Sequence, residues 1–230
     1  MTKFKLPIFW LMYSIGWVIY QGTFRTRYVG DVKRRRGPAV LPGKHRSYWD
    51  ISAISIVARR YYKTFPHFEM GTFYGYPMLG RVQWMCERYG AFKVMRAKDL
   101  IRLKHGTGLK KSELMEIMKA TNDEAARCRD WVLRNGRALV YFPEGGRTNE
   151  LAEFKSEHEM REAIDLVNEG LDITVQPIVP VYGKRPPLLI PFIWKRPLTV
   201  HMLAPVDIRG RTVDDVFAEI RAKMAVVLNS

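Results

Sequence analysis

The sequence predicts an α/β fold: a mixed, mainly parallel sheet with flanking helices, preceded by an N-terminal membrane-associating helical segment. Three observations carry that expectation. Short apolar runs alternate with helix-like segments from Ala39 onward, the order that builds parallel sheets. Several of those runs end in His, Arg or paired Gly, and α/β sheets place ligands at the carboxyl ends of their strands. Finally, Leu6 to Thr23 carries no charge and is rich in Trp, Tyr, Phe and Ile. Residues 1–30 therefore read as the membrane-associating segment and residues 31–230 as one domain.

Composition agrees. A chain of 230 residues that is 47% hydrophobic and 12% aromatic builds one sizeable core and is not disordered. The net charge of +15 implies an acidic partner, whether nucleic acid, anionic lipid or an acidic carrier. No zinc-finger, RNP or recognition-helix pattern is present, so nucleic acid is not expected. Cys86 and Cys128 lack metal-ligand spacing and read as free thiols in a reducing compartment. No metal site is expected.

The apolar stretch Leu6 to Thr23 would extend about 27 Å as a helix, just short of a bilayer core of about 30 Å. Its tryptophans and tyrosines favour the headgroup boundary, and lysines and arginines flank both ends. A monotopic anchor facing the cytoplasm is the preferred reading, with a spanning helix or a core helix as alternatives. No small-residue cleavage site marks a signal peptide. Phe24 to Val29 reads as a strand. Lys33 to Arg36 is a basic run that either is solvated or meets anionic headgroups.

Ala39 to Leu41 reads as the next strand and Ile51 to Ala58 as a helix. Pro66 to Met70 is a strand, Pro77 to Arg88 a helix and Ala91 to Met95 a strand ending at Arg96. Asp99 to Thr121 is strongly charged and contains Gly106-Thr107-Gly108; it reads either as an excursion over the site or as a helical insertion. Thr121 to Glu124 is a capping-box pattern, predicting a helix from there to about Arg134. Ala138 to Phe142 reads as a buried strand, and Ser156 to Glu159 opens a helix to Glu169. Ile173 to Val181 is expected as one further strand. Pro186 to Trp194 is apolar and proline-broken, a membrane-dipping loop or a core segment. Leu198 to Leu203 is a strand, and Thr212 caps a final helix.

Lys44 to Asp50 is where chemistry concentrates. His45 and Asp50 lie five residues apart, roughly 140° on an ideal helix, so they meet only if His45 sits in the turn and Asp50 in the first helical turn. Asp50 then fixes the imidazole tautomer and leaves the other nitrogen as a base. That is a serine-protease triad without its nucleophile, a part a substrate hydroxyl could play. The alternative is a surface histidine before a helix whose dipole favours an early aspartate. Arg96 stands at a strand's carboxyl edge. In Phe142 to Thr148, Gly145 and Gly146 let backbone N–H groups approach an anion, and Arg147 adds a fork suited to phosphate.

His45 with Asp50, Gly90 with Arg96, Phe142-Pro143-Glu144-Gly145-Gly146-Arg147 and the Val179-Pro180 strand follow one another in the order and approximate spacing of the glycerolipid acyltransferases. Over roughly residues 38 to 184 the chain resembles that family, and within it the enzymes acting on 1-acylglycerol-3-phosphate. The resemblance implies transfer of a fatty acyl group from acyl-CoA or acyl carrier protein to a glycerol hydroxyl, with no other cofactor. It implies His45 as base, Asp50 as its orienting partner, Arg96 on the acceptor phosphate, and Glu144, Gly145 and Arg147 in acceptor binding. The partners it implies are a membrane lipid acceptor, an anionic membrane surface and an acyl carrier protein. Two residues depart from the family's usual pattern: Lys44 where Asn is common, and Gly146 where Thr or Ser is common. Other acceptors, such as a lysophospholipid, glycolipid or aminolipid, stay open, as does a non-catalytic basic membrane protein.

Overall fold

The computed structural model describes residues 5–47, 49–71, 84, 86–148, 150–184 and 195–229. Helix α1 (Leu6–Thr23), with a proline in its first turn, leads directly into β1 (Phe24–Gly30). Strand β2 (Ala39–Pro42) follows, then α2 (Trp49–Val57) and a single π-helical turn over Ala58–Tyr62 that stops at left-handed Lys63. Next come β3 (Pro66–Gly71), β4 (Ala91–Val94), α3 (Ala97–Thr107), α4 (Lys111–Arg134) and β5 (Ala138–Tyr141). The chain continues through α5 (His158–Asn168), β6 (Thr174–Val175), β7 (Ile178–Tyr182), β8 (Arg196–Met202) and α6 (Val213–Leu228).

Five strands form a parallel sheet in the order β4-β3-β5-β2-β6. A second sheet, β1-β8-β7, pairs β1 and β8 in parallel and β7 and β8 antiparallel. A parallel bridge between Gly43 and Ile178 links the two. The large sheet is covered on both faces, which is why its strands read as unbroken apolar runs. Ala39, Leu41, Ala138 and Val140 pack with α1 and α2, whereas Val40, Leu139 and Tyr141 pack with α4, α5 and α6. Each fully buried Val or Leu among them contributes about 1.5–3 kcal/mol. The mixed, mainly parallel architecture predicted from the sequence is the one observed.

Two expected elements are corrected. Thr121 does not open a helix, because α4 already runs through it from Lys111. The apolar positions Leu114, Met118, Ala125, Cys128 and Val132 keep a helical period across Thr121. Thr121 Oγ1 simply donates to the Ile117 carbonyl one turn back (2.8 Å), and Asn122 reaches across to both backbone groups of Met95. The helix start is instead satisfied at Lys110, whose N–H donates to Glu113 (2.7 Å). The charged stretch from Asp99 to Thr121 thus becomes α3 and the first turns of α4, joined through Met95, Leu103 and Leu114.

The expected strand from Ile173 to Val181 divides in two at Gln176-Pro177. Pro177 has no N–H for a ladder. Buried Gln176 bridges the sheets: its Nε2 donates to the carbonyls of Asp31 and Leu203 (each 2.9 Å), and its Oε1 accepts from Tyr62. The strand therefore leaves β2 at β6 and joins β8 as β7. Of the expected helix from Pro77 to Arg88, the described residues 84 and 86–88 are helical and the rest lie outside the described residues. Pro186 to Trp194 also lies outside them.

Helix α1 docks on the domain by Phe9 and Tyr20, both fully buried, and the Lys5 N–H donates to the Arg88 carbonyl (3.1 Å). Its opposite side leaves Leu11, Ile15 and Val18 exposed. Among the described residues no helix is long and apolar enough to cross a membrane.

Candidate active site

The residues singled out from the sequence gather at the carboxyl ends of parallel strands. His45 follows β2, Arg96 follows β4, and the Glu144–Arg147 loop follows β5. β2, β4 and β5 run parallel within one sheet, so all three turns leave the same edge. Tyr182 ends β7, which the Gly43–Ile178 bridge sets parallel to β2.

The structure brings His45 and Asp50 together. His45 Nδ1 lies 3.1 Å from Asp50 Oδ2. The geometry is that of a turn entering a helix, because Ser47 Oγ receives the Trp49 N–H and α2 begins there. Asp50 Oδ2 also accepts the N–H groups of Arg46 and Ser47, each at 2.6 Å, and Oδ1 accepts the Tyr182 hydroxyl at 2.5 Å. Four donors fix this fully buried carboxylate in one orientation. The imidazole therefore carries its hydrogen on Nδ1, and among the described residues none bonds Nε2. The ring stacks on Phe142, centroids 4.0 Å apart, and stays partly open to solvent.

Tyr182 was not singled out from the sequence. Burial first, and the Asp50 carboxylate second, push its phenol well above the usual tyrosine range, so it stays protonated and donates. Its only sequence signal is its place one residue beyond Val181 in the fourth family block.

Lys44 and Glu144 make a buried staple under the same turn. Lys44 is fully buried, and its Nζ lies 2.8 Å from both Glu144 carboxylate oxygens. The Thr148 and Glu150 carbonyls and the Thr148 hydroxyl also accept from it, at 3.0, 2.7 and 2.6 Å. Glu144 Oε1 accepts the Ala152 N–H (2.8 Å), and the Thr148 N–H donates to the His45 carbonyl (3.0 Å). The loop after β5 is thereby tied to the turn after β2. The carboxylate of Glu144 faces this interior cation, so its contribution to the site is to hold loop geometry.

Arg96 reaches the same loop. Its Nη1 donates to the Gly145 carbonyl (3.2 Å) and its Nε to Asp99 Oδ2 (3.1 Å). The guanidinium lies directly over Gly71 at the end of β3, where an added Cβ would come within 1.9 Å of Nη2. Gly71 is therefore a site residue of a kind no motif announces, a gap that Arg96 fills. Gly145 has φ +66°, which glycine alone adopts without strain. Its N–H closes the turn onto the Phe142 carbonyl (2.9 Å) and so does not face an anion. Arg147 is exposed on the same loop.

The arrangement offers an oriented imidazole with an open nitrogen, and arginines on the turns after two parallel strands of the same sheet. It can take a proton from a hydroxyl and hold an anion beside it. Among the described residues no three His, Cys, Asp or Glu side chains are grouped to hold a metal ion.

No curated protein matches the chain as a relative. The model of the Acyltransferase family matches residues 25–182, from β1 through Tyr182 and across every residue of the site, and the chain belongs to that family.

Proposed function

We propose that this acyltransferase moves a fatty acyl group from acyl-CoA or acyl carrier protein to the sn-2 hydroxyl of 1-acylglycerol-3-phosphate, giving phosphatidic acid at a membrane surface. The observation that carries the reading is the His45–Asp50 pair with its open Nε2, on the same sheet edge as the turns that carry Arg96 and Arg147. The acceptor hydroxyl donates to Nε2. As its oxygen attacks the thioester carbonyl, the proton passes to the imidazole, and Asp50 balances the charge that develops. The tetrahedral intermediate collapses with cleavage of the C–S bond. The departing thiolate takes the proton from Nε2, leaving an ester, a free thiol and the starting enzyme. A thioester is already activated, so no covalent enzyme intermediate is required.

Arg96 and Arg147 are assigned to the acceptor phosphate, which a guanidinium grips through two parallel hydrogen bonds. The exposed Leu11, Ile15 and Val18 of α1 support interfacial binding, with the basic surface drawn to anionic lipid. Because α1 is also part of the core, the membrane role is tested on its outer face: Leu11→Glu with Ile15→Glu should release the protein from vesicles without unfolding it.

The acceptor is tested with Arg96→Ala and Arg147→Ala on lysophosphatidate and on a neutral lysolipid. Loss of one charge-assisted contact costs about 1.5–3 kcal/mol, roughly ten- to a hundredfold in affinity. Each variant should raise KM for lysophosphatidate and leave the neutral lysolipid unaffected. Equal losses on both acceptors would remove the phosphate from the assignment.

A further inference from the structure

A groove of about 640 Å³ lies between α6 and the loop that follows β5. Arg46, Glu150 and Leu151 line one side, and Arg221 and Ala222 of α6 with Asn229 line the other. Arg46 is the residue after His45, and the loop wall is held against His45 by the Thr148 N–H. The lining of the groove thus includes the residue that follows the base in the chain. Among the described residues neither Arg46 nor Arg221 has an acidic side-chain partner, although the two line a groove with only one carboxylate, Glu150. Where a larger residue on α6 would close the space, the helix carries Ala218, Ala222 and Ala225.

Two arginines, one carboxylate, one side-chain amide and small apolar residues suit a ligand that carries amides and ends in an anion. We propose that the groove seats the phosphopantetheine arm of the acyl thioester, the chemistry shared by coenzyme A and acyl carrier protein. The inference rests on the acyl-transfer reading given above and adds to it the place of the donor. Arg221 meets the phosphate. Glu150 accepts an amide N–H of the arm, and Asn229 offers both a donor and an acceptor to its amides. Leu151 and Ala222 flank the methylene chain. The sulfur end then lies at Arg46, beside His45, so the thioester carbonyl comes to the base while the acceptor approaches from Arg96. The net charge of +15 favours both donors, each of which is anionic.

Steady-state kinetics on the full chain, with one fatty acid presented on coenzyme A and on acyl carrier protein, test this. Ala222 is exposed, so Ala222→Phe fills the groove without entering the core. Arg221→Glu reverses the charge at the phosphate. Each should raise the donor KM about tenfold or more while the lysophosphatidate KM holds. Lys119→Glu, an equal charge change on exposed α4 surface, should leave both unchanged. Wild-type turnover of only one donor identifies the source of the arm, and the same rise in its KM supports the groove. If both donors are used and only one is affected, the shared arm is not what the groove holds. Wild-type donor KM in both variants, with transfer intact, overturns the groove and spares the activity. A wild-type protein that turns over neither thioester overturns the acyl-transfer reading and the groove with it.

Discussion

Two histidines in this protein have the same hydrogen-bond plan on one side and opposite fates on the other. His45 Nδ1 meets Asp50 Oδ2 at 3.1 Å, and His67 Nδ1 meets the Gly90 carbonyl at 3.1 Å. Beyond the ring they diverge. His67 is fully buried, and its Nε2 accepts from Arg137 Nη1 at 3.0 Å. Burial first, and the Arg137 guanidinium second, lower its pKa to about 3. Among the described residues His45 has no such partner on Nε2, and it keeps contact with solvent. An imidazole with both nitrogens engaged is a structural strut. One with a fixed tautomer and an open second nitrogen can take up a proton. The difference lies in what surrounds the ring, which the amino acid alone does not tell.

The largest effect should separate the two sites outright. His45→Ala should lower kcat by about 10²- to 10⁴-fold and leave the melting temperature near wild type. His67→Ala should do the reverse, because it removes a buried ring and the acceptor of the Arg137 Nη1 hydrogen bond. Thermal melts and acyl-transfer rates on both variants check the contrast; equal activity losses would erase it.

Next is Lys44, the neighbour of His45 with its side chain turned inward. Lys44→Met leaves Glu144 buried without its cation, and such breaks cost roughly 3–5 kcal/mol. The double variant Lys44→Met with Glu144→Leu should recover part of that loss in chemical denaturation. No recovery would mean that the pair does not act as a unit.

Tyr182→Phe removes one donor from Asp50 and leaves the ring packed. A hydrogen bond to a charged group is worth about 1.5–3 kcal/mol. As a positioning residue, Tyr182 should lower kcat roughly ten- to a hundredfold without changing either KM. A rise in acceptor KM instead would move it from the dyad to the binding surface.

The smallest effect is in pH. The folded pKa of His67 lies below its unfolded value of 6.5. Its contribution to stability is complete above pH 6.5 and is lost as pH falls toward about 3. Glu69 slopes the other way: burial first, and Glu159 beside it, raise its carboxyl, so it favours the folded state as pH falls. His67→Gln keeps Glu69 and removes the histidine. Between pH 7 and 5.5 wild type should therefore lose about 1 kcal/mol relative to the variant, measured by urea unfolding. Parallel curves would show that His67 does not stay neutral.

The parallel sheet and most of its strands were legible because both faces are buried, so each strand leaves an apolar run with a turn after it. The pairing of His45 with Asp50 was legible because it is local. Tyr182, Gly71 and Lys44 were not, since their partners lie far along the chain and their residue types are ordinary. The capping pattern at Thr121 misled because an apolar stripe running through it outweighs a local cap. The strand at Ile173 was read as one because apolar periodicity does not show a change of sheet; the buried side chain of Gln176 makes that change possible.

The parallel pairing of β1 with β8 sets an order of events during synthesis. Phe24 pairs with Arg196, and Gly30 with Met202. At about 5–20 residues per second, β1 waits on the order of 10–30 s for its partner to leave the ribosome. Phe9 meets Phe65 edge to face and stacks on Tyr89, and Tyr20 packs with Phe24, all made well before β8, so α1 can find its seat while β1 still lacks a neighbour. An unpaired strand is an aggregation hazard in water, so the order in which this chain is made leaves the β1 edge as the part that must wait longest for cover.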